Sequence, residues 1–309
     1  MPETAGALFS GVESMQKRPF LMAMLILGAI FLFFLLLVLV ISSFMGSTAS
    51  LPIGEKVGVV RIEGVITSSR ETIKEIIAFR KDSSVKAIVL RVDSPGGGVG
   101  PSQEIYQEIK KTNEIKPVVV SMGSVAASGG YYVSAPAQRI IANGGSITGS
   151  IGVIMEFTNF QELLDKIGLK SQVVKSGEHK DIGSPVRPMT PEDRKILQNL
   201  IDDVHLQFMK AVAEGRKMDL EKVRAIADGR IFTGRKAREL GLVDTLGNMQ
   251  TAIEVAADLA GIEGEPRVVY PPEGKKKLIE YFIEETASHF RRGLQQQTSG
   301  LQFLWSDVE

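Results

Sequence analysis

The chain has 309 residues, with 36 basic and 36 acidic side chains and no cysteine. This length is sufficient for one large domain or two smaller ones, and the balanced charge gives no long-range field that would favour nucleic acid. The absence of cysteine excludes disulfides, thiolate catalysis and cysteine-bound zinc.

The most apolar part of the sequence lies near its start. Residues 20–41 form an uncharged run, FLMAMLILGAIFLFFLLLVLVI. At about 1.5 Å per residue, a helix of this length spans the roughly 30 Å hydrocarbon core of a bilayer. A cleaved signal peptide is the alternative, but its apolar region is typically about 7 to 15 residues long. We therefore expect a retained membrane anchor.

Basic residues flank this run closely on one side only. Lys17 and Arg18 precede it, and the next basic residue is Lys56. The positive-inside rule therefore keeps the N-terminus in the cytoplasm and places the rest of the chain on the far side. The expected order is a cytoplasmic N-terminus at 1–19, an anchor at 20–41, a linker at 42–56 and a folded body after it.

After the linker, short apolar runs alternate with amphipathic stretches. Nearly continuous or β-branched apolar runs predict buried strands, and apolar residues at helical spacing predict helices. We predict strands at 57–64, 85–92, 117–122, 139–142 and 172–174, and helices at 70–80, 101–112, 191–216, 220–227, 234–240 and 248–260. Thr190 is a suitable N-cap for the long helix that starts at Pro191. The alternation indicates βαβ crossovers and a mostly parallel sheet.

Two glycine-rich turns follow two of these strands. DSPGGG at 93–98 follows the second strand, and GSVAASGGYY at 123–132 follows the third. In a parallel sheet both turns lie at the carboxyl edge, where ligands bind. Neither of the glycine motifs that bind nucleotide phosphates is present. The first turn is therefore either an ordinary glycine turn or a source of backbone N–H groups that bind an oxyanion.

Ser128 lies in the second turn among alanine and glycine neighbours. A serine at a strand-to-helix turn can attack a carbonyl, with the N–H of Gly129 pointing at the same place. The commoner role of such a serine is a helix N-cap. The sequence is not a G-x-S-x-G elbow, because residue 126 is alanine. The residues alone leave both roles open.

A nucleophilic serine needs a base, and the segment VKSGEHKDIGS offers His179 and Lys180 in a glycine-bounded loop. The other histidines, His205 and His289, fall in predicted helices where solvated faces are expected. A lysine acts as a base only when its amine is neutral, which burial in an apolar groove favours. The alternatives are a surface lysine paired with Asp181 and a Ser–His pair that uses His179.

Together the motifs resemble the signal peptide peptidases of the SppA type. The similarity comprises SPGG, AASGG, TGSIG at 148–152, SGEHKDIGS and GRIFTGRKARELGLVD at 229–244, in that order. It runs from about residue 57 to residue 247. The resemblance implies a membrane-anchored serine endopeptidase with a Ser–Lys dyad and the Clp-protease/crotonase fold, and it implies no metal or organic cofactor.

The resemblance also implies roles for single residues. Ser128 would be the nucleophile and Lys180 the general base, Ser150 would orient the lysine, and the N–H groups of Gly97 and Gly129 would form the oxyanion hole. The implied substrates are cleaved signal peptides and other apolar peptides. The implied partners are the bilayer and further copies of the chain, in a homo-oligomeric ring that shares each dyad between protomers.

The expected fold is α/β, with stacked βαβ units, a helical C-terminal part and one N-terminal transmembrane helix. We expect a protease domain at 57–262 and a C-terminal helix and mobile tail at 263–309. The expected location is a bacterial-type inner membrane, with a single pass and the catalytic domain on the extracytoplasmic side. Two alternatives share the fold: a non-catalytic scaffold, and an acyl-CoA enzyme of the crotonase type, which usually uses carboxylates and needs no anchor.

Overall fold

A computed structural model describes residues 19–44, 55–271 and 302–304. The first range is helix α1, Pro19–Phe44, which lies in a unit of its own. Its side chains are described at Met24 and at 26–37, and all of these are exposed. Within the part of the chain that the structure describes, no helix is long and apolar enough to cross a membrane. The anchor predicted at 20–41 stays a prediction.

The second unit is built from strands and helices that alternate along the chain. Its strands are β1 Lys56–Glu63, β2 Val85–Ser94, β3 Gly96–Gly98, β4 Val118–Ala127, β5 Arg139–Ala142, β6 Ile147–Gly149, β7 Ile231–Thr233, β8 Thr245–Leu246, β9 Arg267–Val269 and β10 Gln302–Leu304. Its helices are α2 Arg70–Lys81, α3 Val99–Asn113, α4 Gly129–Ser134, α5 Gln161–Lys166, α6 Pro191–Arg216, α7 Leu220–Arg224, α8 Gly234–Glu239 and α9 Met249–Ala260.

The main sheet has the strand order β7-β6-β4-β2-β1-β9, with β5 next to β4 and β8 next to β5. Every neighbouring pair in it is parallel except β6 with β7. This confirms the predicted mostly parallel sheet of an α/β protein. The short strand β3 lies outside it and pairs antiparallel with β10. Parallel neighbours need long crossover connections, which α2 and α3 provide between β1, β2 and β4.

Strands β1, β2 and β4 are buried on both faces. On one face Val60, Leu90 and Val120 join a core that includes side chains of α2, α3, α4 and α6. On the other face Val89 and Val119 belong to a second apolar cluster, to which α9 contributes. Full burial of one such side chain contributes about 1.5–3 kcal/mol. The nearly continuous apolar runs in these strands are thus explained by two covered faces.

The helix predicted at 191–216 is confirmed with the same bounds as α6. The Thr190 side chain accepts the backbone N–H of Asp193, and the Asp193 carboxylate accepts the backbone N–H of Thr190. This capping box, with Pro191 in the first turn, starts the helix where the sequence indicated. Most of the other predicted helices and strands are also confirmed, with ends that differ by a few residues.

The strand predicted at 172–174 is wrong, since these residues are neither helix nor strand. Val173 and Val174 are exposed, and no strand among the described residues pairs with them. A β-branched run forms a strand only where a neighbour supplies backbone partners and covers one face. The C-terminal helix, expected within 263–309, and most of the tail after it lie outside the described residues.

Candidate active site

Ser128 joins the end of β4 to the start of α4 in a strained backbone conformation, with φ 53° and ψ −116°. Its N–H donates to the carbonyl of Gly149 at 2.9 Å, and its carbonyl accepts the N–H of Tyr132 at 2.8 Å. The turn is therefore held by hydrogen bonds on both sides. A sparsely populated backbone conformation of this kind costs about 1–3 kcal/mol and persists mainly at functional sites.

The Ser128 side chain is buried, with 1% of its surface exposed. Its Oγ makes no capping bond to α4 and has no hydrogen-bond partner among the described residues. An unsatisfied buried hydroxyl costs about 1–3 kcal/mol. The N-cap hydrogen bond that the sequence left open is thus not made. The hydroxyl is available to another hydrogen-bond partner.

The glycines around Ser128 allow two backbone segments to approach closely. A Cβ atom on Gly129 would lie 2.8 Å from Ser102 Oγ and 3.1 Å from the nitrogen of Gly97. A Cβ atom on Gly130 would lie 2.6 Å from the carbonyl oxygen of Ser94. Side chains larger than hydrogen do not fit here. The turn after β2 and the turn after β4 therefore meet at one place, as the parallel sheet predicted.

Gly97 is held in the middle of β3 with its N–H directed away from Ile66. The N–H of Ile66 donates to Gly96 and the N–H of Gly98 donates to Ile66, at 2.8 and 2.9 Å. Successive residues of an extended segment present their N–H groups to opposite edges. The N–H of Gly97 therefore faces the other edge, where Gly97 is the pairing partner of Phe303 in β10.

Ser150 follows β6 directly beside Ser128. Gly149 pairs with Ala127 across β6 and β4, so the two serines are the next residues of neighbouring strands. Ser150 is buried and has a φ of 49°. Among the described residues other than glycine, only Ser128, Ser150 and Lys217 have a positive φ. Backbone strain is thus concentrated at this pair of serines.

Lys180 does not join these residues within one chain. Its side chain is exposed, and its backbone N–H donates to Gly177 at 3.2 Å within a series of turns. The alternative of a Lys180–Asp181 ion pair is wrong, since Lys175 and Arg187 bind the Asp181 carboxylate instead. Of the predicted site residues, Ser128, Ser150, Gly97 and Gly129 are brought together and Lys180 is not.

The described histidines do not supply a base to Ser128 either. His179 is exposed in the same turns as Lys180. His205 lies half-buried on α6, and its Nε2 is buried without a hydrogen-bond partner among the described residues, so the expected solvated face is wrong. His289 lies outside the described residues.

The structure contains an ion-pair network around Arg187 that the sequence did not indicate. The guanidinium donates to the carboxylates of Asp181 and Asp193, and Lys175 donates to Asp181. Hydrogen bonds from Arg187 and Lys175 hold the pKa of Asp181 well below its ordinary value, and the bond from Arg187 lowers that of Asp193 to about 2. Both carboxylates are therefore ionised at neutral pH. The sequence signal was weak, because only the capping residues Thr190 and Asp193 mark this place.

Comparisons with known proteins point to one group of enzymes. Residues 110–263 match the model of peptidase family S49, and residues 59–147 match that of Clp protease. A provisionally named protease of Synechocystis sp. is 44% identical over 226 residues, which cover 73% of this chain and 82% of that protein. A provisionally named signal peptide peptidase SppA of Enterococcus faecium is 40% identical, with 57% and 52% covered. Protease 4 of Salmonella typhi is 38% identical, with 68% and 35% covered.

Proposed function

Because this chain belongs to peptidase family S49 and is a serine-type peptidase, we propose that it is an endopeptidase with a Ser128–Lys180 dyad. The observation that carries the proposal is the state of Ser128, a buried hydroxyl without a described partner in a strained strand-to-helix turn. Such a hydroxyl is free to donate its proton to an incoming base. The close approach of Gly97 and Gly129 supports an oxyanion site beside it.

The reaction begins when Ser128 Oγ attacks the scissile carbonyl and Lys180 Nζ takes the serine proton. The carbonyl oxygen becomes an oxyanion that accepts hydrogen bonds from the N–H groups of Gly97 and Gly129. Lys180 then gives the proton to the leaving amine, which leaves an acyl ester on Ser128. Neutral Lys180 next takes a proton from water while the water oxygen attacks the ester carbonyl. The bond between that carbon and Ser128 Oγ then breaks, Lys180 returns the proton to Oγ, and the peptide leaves as its carboxylic acid. One oxyanion donor typically contributes about 10²–10³-fold to kcat.

Ser150 is proposed to orient the lysine amine. Support comes from the backbone, because Gly149, which precedes Ser150, pairs with Ala127, which precedes Ser128. A hydroxyl can accept a hydrogen bond from the amine and direct the lone pair of Lys180 toward Ser128 Oγ.

Peptide substrates are proposed to bind as an added strand along β3. Support comes from β10, an extended segment of this chain that pairs antiparallel with β3 at Gly97. The edge of β3 that pairs with β10 thus accepts an extended backbone next to the turn that carries Ser128. Strand addition of this kind takes affinity from main-chain hydrogen bonds and so suits substrates of varied sequence.

The dyad is proposed to form between protomers of a homo-oligomeric ring. Arg187 ties the Lys180 loop to Asp193 at the start of α6, whereas Tyr132, one turn after Ser128, packs against Phe208 further along α6. At about 1.5 Å per residue, Asp193 and Phe208 are about 22 Å apart along the helix axis. This separation and the exposed side chain of Lys180 support a lysine that serves the Ser128 of a neighbour.

The proposed substrates are cleaved signal peptides and other apolar peptides left in the bilayer, and the name of the Enterococcus relative, signal peptide peptidase, supports this proposal. The proposed location is a bacterial-type inner membrane, with residues 20–41 as a single-pass anchor. The support is the sequence, in which these residues carry no charged side chain. Lys17 and Arg18 before it favour an extracytoplasmic catalytic unit.

We expect a serine-directed phosphonylating reagent to label the purified protein at Ser128. Lys180→Ala should lower the labelling rate, because it removes the proposed base that takes the serine proton. Mass spectrometry of proteolytic peptides locates the adduct. An adduct on another serine only, or an unchanged labelling rate in Lys180→Ala, would contradict the proposed dyad.

We expect the full chain to remain with membranes after carbonate extraction and a chain that begins at residue 45 to be released. In the proposal, the uncharged run at 20–41 supplies the hydrophobic attachment of the first protein, and it is missing from the second. The measurement is the distribution of each protein between pellet and supernatant. Recovery of the full chain in the supernatant would exclude the anchor.

A further inference from the structure

One guanidinium group connects the loop that carries Lys180 to the long helix α6. Arg187 Nε and Nη2 donate to the two oxygens of Asp181, at 2.9 and 3.0 Å, in a bidentate pair. Nη1 of the same side chain donates to Asp193 Oδ2 at 2.5 Å. Asp181 follows Lys180 in the chain. The bidentate pair therefore restrains the backbone next to the lysine.

The two carboxylates are much less exposed than most ionised side chains. The exposed fraction of the side chain is 13% for Asp181 and 3% for Asp193, and it is 26% for Arg187. Lys175 adds a second cation to Asp181 at 2.7 Å. Partly buried ion pairs with several hydrogen bonds hold their geometry better than exposed pairs. Such a network is better suited to holding a loop in place than an exposed surface ion pair is.

Asp193 is itself rigidly placed. It is part of the capping box at the start of α6, where it exchanges hydrogen bonds with Thr190. Further along the helix, Phe208 is fully buried and packs against Tyr132 of α4, with 4.9 Å between ring centroids. The helix that anchors the Lys180 loop thus also supports the turn that carries Ser128.

Residues 157–160 also contact the Lys180 loop, but these contacts are made at residues after Lys180. The backbone N–H of Phe160 donates to Pro185 at 2.6 Å, and Asn159 Nδ2 donates to the carbonyl of Arg187 at 2.9 Å. Gly183 packs so closely on the Phe157 ring that a side chain would collide with it. The Lys180 side chain is exposed and has no ion-pair partner among the described residues. Among the described residues, the backbone of the loop therefore sets where this flexible side chain starts, and no side-chain contact holds its amine.

We propose that Arg187 is a positioning residue for Lys180, which it holds in place by joining Asp181 to Asp193. This inference rests on the proposed function, in which Lys180 is the base. Arg187 does not touch the substrate and takes no proton. It fixes the position of the Lys180 loop relative to α6. From this position the lysine reaches Ser128, whether that serine belongs to the same chain or to a neighbour.

The test compares five variants of the full chain with wild type in the hydrolysis of an apolar reporter peptide. We expect Arg187→Ala to lower kcat about 10²-fold with little change in KM, since a misplacement of about 1 Å can cost that factor. Arg187→Lys keeps the charge but not the bidentate fork, so its kcat should be intermediate. Lys195→Ala removes an exposed cation two residues after Asp193 in the chain and should have wild-type kcat. The fourth variant is Lys180→Ala, and the fifth combines Lys180→Ala with Arg187→Ala.

The combined variant distinguishes positioning from a general loss of structure. If Arg187 acts through Lys180, then Arg187→Ala should not lower the residual activity of Lys180→Ala any further. An additional loss, a rise in KM that accounts for the defect, or wild-type kcat in Arg187→Ala would overturn the inference. If Arg187→Ala does not fold, wild-type kcat in a folded Arg187→Lys protein overturns it. Full activity of Lys180→Ala alone would instead refute the proposed dyad.

Discussion

Ser128→Ala is expected to lower kcat for an apolar peptide substrate by about 10⁴-fold or more, because it removes the atom that forms the acyl ester. The fold should be retained. Ser128 Oγ is buried and has no hydrogen-bond partner among the described residues, so its loss breaks no contact described within the chain. Replacing an unsatisfied hydroxyl by hydrogen also removes a desolvation cost. The thermal unfolding temperature should therefore be equal to that of wild type or higher.

The measurement is hydrolysis of a reporter peptide by the purified variant, together with its thermal unfolding. Ser124→Ala is the matched control, because it removes an exposed hydroxyl from the same glycine-rich stretch and should leave both quantities unchanged. Hydrolysis by Ser128→Ala at a rate close to that of wild type would refute the proposed mechanism. A large drop in unfolding temperature would show that the hydroxyl has a structural partner.

Co-expression of Ser128→Ala chains with Lys180→Ala chains is expected to give activity far above the residual activity of either variant alone. In a randomly mixed ring, half of the serines and half of the lysines are intact, so roughly a quarter of the interfaces between protomers unite an intact pair. Activity near that fraction of wild type is the expected result. The structural reason is the exposed position of Lys180, on a loop tied to the start of α6, away from the contact of α6 with the Ser128 turn.

The experiment needs assemblies that contain both chains. Two different affinity tags, one on each variant, allow mixed assemblies to be purified in sequence before activity is measured. Each variant expressed alone provides the background rate. Mixed assemblies that form but stay inactive would place both dyad residues in one chain and refute the shared site.

The elements that could be predicted from the sequence are those with a complete local signal. Helix α6 was predicted with its observed bounds, because Thr190, Pro191 and a long amphipathic stripe all lie within the helix or next to it. Strand β5 at 139–142 was also predicted as observed. Short strands such as β6 and β7 were missed, because three residues carry no detectable period and pair only through the tertiary fold.

Some residues of the candidate site could also be predicted from a local signal, and others could not. Glycine-rich turns after two parallel strands placed Ser128 and Gly97 at one sheet edge, and the structure brings these turns together. Arg187 could not be recognised in advance. Its role depends on the distance between Asp181 and Asp193, and that distance is determined by how the loop folds back on α6.

What the sequence by itself determined is the set of elements and the chemical groups available at the carboxyl edge of the sheet, because hydrophobic period, caps and glycine turns act over a few residues. The tertiary structure alone decided which of these groups meet. It leaves the hydroxyl of Ser128 buried and unbonded among the described residues, sets Ser150 beside it, and keeps Lys180 exposed on a separate loop. Such contacts join residues far apart in the chain, and their energies depend on burial and distance that no local pattern encodes.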